Sequence, residues 1–262
     1  MAIASAKHIV EDRDFSAVSL LFASDGRPSA EALAALARET GRFAISHDPQ
    51  EHADGSDHDD EVWLELNAMG LTFDLAGLAP GKGRELPEAR HKYGLGADFD
   101  TSGLEAVTLT PGPHLVGGGV MFPVVRCLAM LGALISQLPN IEAVAWHRAR
   151  SFSEPVYFRT SVLGWIDGGA FPGLGLTSLA PTKAGGLQSE GLAIFTGQEL
   201  ELAPELVPDN AAGVKLALRL LHWMIEHGRV SQAQLLTGPL GEALRIEPLG
   251  TGGIVKVLRN AH

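Results

Sequence analysis

The forty residues from Ser189 to Gly228 constrain the fold more than any other stretch of this chain. Leu192, Ile194, Leu200 and Leu202 share one parity while Glu199 and Glu201 take the other, which predicts one extended strand over 189–202. Pro204 and Pro208 then break the run. Asp209 stands where a helix needs its N-cap, and Gly228 where the helix must stop. Between them Lys215, Arg219, His222 and Glu226 recur at helical steps. The spacing predicts an amphipathic helix with that stripe in solvent and Leu216, Leu220 and Trp223 on a sheet.

Upstream, the same signals recur in shorter units. Phe15 to Ala23 is an apolar run stopped by Ser24-Asp25-Gly26, followed by a helix-forming stretch from Pro28 to Gly41 and a second strand at Phe43 to Ser46. Val62 to Met69 alternates, with Val62, Leu64 and Leu66 on one face, and Leu71 to Leu75 follows it. A second β-α-β passage begins at Leu104: a strand over 105–110, a helix from about Val120 to Gln137 and a strand over 141–146. That helix is apolar almost all round, the mark of a buried element with Cys127 inside it. Glu154 to Ile166 reads as a helix, Leu174 to Leu179 as a strand, and Gln234–Leu236, Leu244–Glu247 and Ile254–Leu258 as short closing strands.

Several strands follow one another directly, so the pattern is α+β, with helices packed on a mostly antiparallel sheet. The repeated β-α-β order (15–46 and 104–147) suggests two ferredoxin-like halves. Residues 76–103 hold six glycines and two prolines and read as a linker or a long surface excursion. The expected organisation is one compact domain over 1–262, with internal halves at 12–80 and 104–262 joined by that segment.

Charge excludes some classes of partner. With 20 basic and 31 acidic residues the net charge is −11, the wrong sign for nucleic acid or an anionic membrane surface. Seven of the acids fall between Asp48 and Glu61 without one Lys or Arg, which predicts a solvated, exposed loop. Its spacing matches neither an EF-hand nor a paired-histidine metal site, so no metal and no cofactor is expected. The single cysteine, the N-terminus without an apolar core and the lack of a long apolar span fit a soluble cytoplasmic protein.

Four places carry chemistry-bearing side chains. Pro111 to Gly119, with His114, joins a strand to the buried helix and could present backbone N–H groups, though it has neither P-loop nor dinucleotide spacing. His147, Arg148 and Arg150 close a strand, where two guanidinium groups beside an imidazole could hold a carboxylate or phosphate. Ser189-Glu190 and Gln198-Glu199 lie at opposite ends of the expected 189–202 strand. Nine extended residues separate Glu190 from Glu199 by about 30 Å, too far to share a site unless the strand bends. No Gly-x-Ser-x-Gly elbow is present, and Cys127 lies in an apolar setting.

The Ser189–Gly228 segment resembles a family of bacterial proteins of unknown function, in which a Ser-Glu-Gly-Leu strand and a Glu-rich strand end precede such a helix. The resemblance implies a fold and no chemistry. Two function classes remain. The leading one is a non-catalytic binding or protein-interaction module, with a protein or small-molecule partner and homodimerisation left open. The alternative is a small-molecule enzyme, such as a hydrolase, whose candidate pocket joins His114, His147, Arg148, Arg150, Glu190, Gln198 and Glu199. Convergence of His114, His147 and Glu190 would favour the second.

Overall fold

A computed structural model describes residues 17–48, 62–115, 118 and 120–260. The acidic loop expected to be exposed lies, from residue 49 onward, outside the described residues. The fold is α+β, and its strands form two sheets rather than one.

The larger sheet collects β1 (Val18–Ala23), β2 (Ala44–His47), β3 (Trp63–Ala68), β4 (Leu71–Ala76), β5 (His91–Tyr93), β6 (Leu104–Pro111), β7 (Ile141–Trp146) and β8 (Ser151–Ser153). Their order is β2-β3-β4-β6-β1-β7-β8-β5, antiparallel throughout except for the β5–β8 pair. The smaller sheet holds β9 (Ser178–Pro181), β10 (Leu187–Glu190), β11 (Glu199–Leu202), β12 (Gln234–Thr237), β13 (Ala243–Leu249) and β14 (Ile254–Arg259) in the order β12-β13-β14-β11-β10-β9. Only β11 and β14 run parallel there.

Both expected β-α-β passages belong to the larger sheet. They interleave: β6 and β7 flank β1 on either side, and the helix between them crosses over it. Three helices cover one face of this sheet: α1 (Ala30–Thr40), α2 (Phe122–Ile135) and α3 (Pro155–Ile166). Ser29 caps α1, and Gly41 closes it in the left-handed conformation. In α2 every residue from Cys127 to Ile135 is buried, as its apolar circumference requires. Burial also pushes the Cys127 thiol up to about 11, and its Sγ donates to Ala68 O at 3.6 Å. A disulfide reagent at pH 8 should therefore modify native Cys127 far more slowly than denatured Cys127; equal rates would mean that α2 is misplaced.

The Gly/Pro-rich segment 76–103 covers the opposite face. Strands β1, β6 and β7 are apolar on that side too, through Leu21, Ala106, Ala143 and Ala145, and a sheet face of this kind needs a cover. Leu86, Leu95 and Phe99 supply it, while Arg84 and Ala106 exchange backbone hydrogen bonds of 2.8 and 3.1 Å.

The smaller sheet packs on α5 (Asn210–His227), through Leu216, Leu220, Leu221 and Met224. Asp209 Oδ1 accepts from Ala212 N at 2.8 Å, and Lys215, Arg219 and Glu226 face solvent as the spacing predicts. His222 departs from the stripe: its Nε2 donates to Phe171 O at 2.8 Å and ties α5 to the loop after α3. Asp209→Ala should cost about 1 kcal/mol as a lost cap, and Lys215→Ala under about 0.5 kcal/mol as an exposed change. Urea melts of the two variants would test this; a larger loss at Lys215 would show that its side chain is engaged. Among the described residues no helix is long and apolar enough to cross a membrane.

Candidate functional site

The expected 189–202 strand does not exist as one element. After Glu190 the chain turns through Gly191, forms the short α4 (Ala193–Thr196), turns again through Gly197 and returns as β11. Both glycines have positive φ, +89° and +76°. A Cβ on Gly191 would lie 2.9 Å from Arg148 C and O, so this close approach to the 147–150 turn requires glycine. Strands β10 and β11 are thus antiparallel neighbours, which overturns the 30 Å separation inferred from an extended chain. Ser189 Oγ donates to Glu199 Oε2 at 2.5 Å, and the same carboxylate accepts from Gly191 N and Ala193 N at 3.0 Å and from Leu192 N at 3.2 Å. Glu199 is therefore the clasp of this turn. Burial raises its pKa above the ordinary value, and these hydrogen bonds pull it down.

The clasped turn sets Phe195 among aromatic rings of the larger layer. Its centroid lies 4.9 Å from Phe171, 6.2 Å from Trp165 and 6.4 Å from Trp146. Gln198, also in the candidate pocket, is fully buried and joins two other segments. Its Nε2 donates to Val230 O and Gly252 O at 3.0 and 2.8 Å, and its Oε1 accepts from Val230 N at 2.7 Å.

Glu190 reaches the other way, to the seam where the edge strand β5 meets β9 and β10. Its Oε2 lies 3.0 Å from His91 Nε2, and its Oε1 3.8 Å from Arg90 Nη1. Register places Tyr93 beside Ser153 and Glu190 beside Ser178. The His91 and Tyr93 rings lie parallel, 6.5 Å apart. Burial raises the phenols of Tyr93 and Tyr157, which keeps both neutral and able to donate. A carboxylate-bound imidazole beside neutral phenols can relay a proton or hold a polar group.

The remaining candidates sit apart from this cluster in their side-chain contacts. His147 is largely buried; its Nε2 and Ser19 Oγ are 2.8 Å apart, and Ser19 Oγ is 2.8 Å from Thr108 Oγ1. Desolvation lowers the His147 pKa to about 4, so the ring is neutral. Arg150, with φ +47°, closes the turn after His147, and its carbonyl accepts from Arg90 N and His91 N at 2.8 and 3.1 Å. The 147–150 turn thus meets the seam through backbone, with Arg148 against Gly191. His114 is held by Thr72, whose Oγ1 lies 2.7 Å from its Nε2.

A separate concavity opens on the smaller sheet. Helix α5 packs over β10 and β11, leaving the β12–β13 hairpin beyond its flank. The groove between them has a volume of about 430 Å³. Leu216, Arg219, Leu220 and Trp223 line it from α5, and Leu236, Pro239 and Leu244 from the hairpin. Trp223, expected against the sheet, is half-buried at this groove and stacks on His227 with ring centroids 4.6 Å apart. His227 Nδ1 donates to Trp223 O at 2.8 Å.

No protein-family model, curated protein or solved structure matches this chain. The site must therefore be read from its own geometry. Sequence reasoning missed Arg90, His91 and Tyr93 because they lie in the Gly/Pro-rich segment; the alternation of His91 and Tyr93 was the available signal of an edge strand.

Proposed function

We propose that the protein is a non-catalytic interaction module that receives an extended segment of a polypeptide partner along β12. The observation that carries this reading is the apolar groove between α5 and the β12–β13 hairpin, bordered by a sheet edge. Among the described residues no strand pairs with the outer side of β12. Its sequence, Gln234-Leu235-Leu236-Thr237, has none of the charges or prolines that usually blunt an edge, and Leu235 is 66% exposed. Leu240, at the hairpin tip, is 92% exposed. An added strand would satisfy the outward backbone groups of β12 and place alternate side chains in the groove. Trp223 is suited to anchor them, since half-exposed tryptophans dominate many interfaces.

The fate of two candidate groups, Glu199 and Gln198, fits this reading, since both are engaged by backbone donors and acceptors that hold the fold.

The test is selection of random twelve-residue peptides on the folded protein, followed by fluorescence anisotropy with variants. Leu235→Lys, which puts a blunting charge on the β12 edge at a side chain facing away from the groove and leaves the core intact, should weaken selected peptides by about tenfold or more, and Trp223→Ala should do so from within the groove. Failure to enrich any peptide, or binding indifferent to both substitutions, would sink the proposal.

A further inference from the structure

Resting on the strand-docking reading of the groove, we infer that its occupant carries an acidic side chain and that Arg219 selects for it. Apart from Arg219, the groove lining is uncharged. Lys215, one turn earlier on α5, extends the positive rim, and both side chains are exposed. Among the described residues neither forms an ion pair. Five other bases, Arg27, Arg42, Arg90, Arg245 and Lys256, each have a carboxylate 2.5 to 3.8 Å away.

A guanidinium at the mouth of an apolar groove favours a carboxylate, which it can bind through two parallel N–H donors, and repels a cation. The apolar floor sets affinity for alternate aliphatic side chains, and Arg219 adds discrimination by charge. The same charges disfavour a second copy of this chain as occupant. Two-fold pairing of β12 with itself keeps the same sheet face on the same side, so both copies of Lys215 and Arg219 would lie on one face of the joined sheet. The strand Gln234–Thr237 also has no acid to offer them.

The experiment uses the peptides enriched on the wild-type protein. They should carry Asp or Glu between apolar residues, and replacing that acid with Lys should weaken binding by about tenfold. Arg219→Glu, on an exposed position, should reverse the preference, so that the Lys peptide binds better than its acidic parent. Rising salt should weaken the acidic peptide and leave an uncharged analogue nearly unchanged. Equal binding of acidic and Lys peptides, or an order unchanged by Arg219→Glu, overturns the inference. If Leu235→Lys still abolishes binding in that case, docking stands and only charge selection falls. If Leu235→Lys has no effect, both fall. Self-association in sedimentation that Leu235→Lys abolishes would make a second copy the occupant and likewise overturn it.

Discussion

Replacing Glu199 with alanine should cost at least about 3 kcal/mol of folding stability, because it strands four donors at once, those of Ser189, Gly191 and Leu192 in buried residues. Three consecutive backbone N–H groups, from Gly191 to Ala193, and the Ser189 hydroxyl all donate to this one carboxylate. Ser189 Oγ in turn accepts from Leu200 N at 2.8 Å, so β10, α4 and β11 share one network. Without it, Phe195 loses its fixed place against Phe171, Trp165 and Trp146. Glu199→Gln keeps one acceptor oxygen but turns an NH₂ group toward the remaining donors, so it should recover only part of the loss. Urea melts with tryptophan fluorescence would give the magnitude, and hydrogen exchange at the amides of 191–193 would locate it. A loss below about 1 kcal/mol, with those amides still protected, would show that the turn holds without its clasp.

This turn also shows where sequence reasoning stops. Alternation between Leu192 and Leu202 is a genuine strand signal, yet Gly191 and Gly197 at its interior are the residues that permit left-handed reversals. What decides between strand and turn is a carboxylate supplied from beyond the turn, by Glu199, together with an aromatic site assembled from distant segments. Neither is local. The helices, by contrast, were legible because caps and periodicity lie within one element, as Ser29, Gly41, Asp209 and Gly228 illustrate. The segment 76–103 reads as a linker or a long surface excursion from its glycines and prolines, but Leu86, Leu95 and Phe99 take their meaning from the apolar outer face of β1, β6 and β7. The groove escaped for the same reason. Each wall was visible, α5 by its period and β12–β13 by their short apolar runs, but the gap between them is a property of tertiary packing.

The protein should also lose stability on mild acidification, and His147 should account for most of it. The unfolded chain protonates this imidazole at the ordinary value of 6.5, whereas burial beside Ser19 holds the folded value down to about 4. Between those values the unfolded state binds more protons, so the contribution is complete above pH 6.5 and drains away as pH falls toward 4. The shift corresponds to about 3 kcal/mol over the whole window, of which about 2 kcal/mol should be lost between pH 7 and pH 5. Glu199 acts with the opposite sign. Its folded pKa is raised above 4.5, so its contribution is present below that value and is lost as pH rises through the folded one. It therefore opposes the His147 slope. His147→Gln can keep a hydrogen bond to Ser19 yet cannot titrate, and should flatten the profile between pH 7 and 5. Denaturant melts at pH 7.5, 6 and 5 on both proteins would decide the matter. Parallel losses in wild type and His147→Gln would mean that another group carries the acid sensitivity, and that protonating His147 does not disturb the junction of β1, β7 and the 147–150 turn.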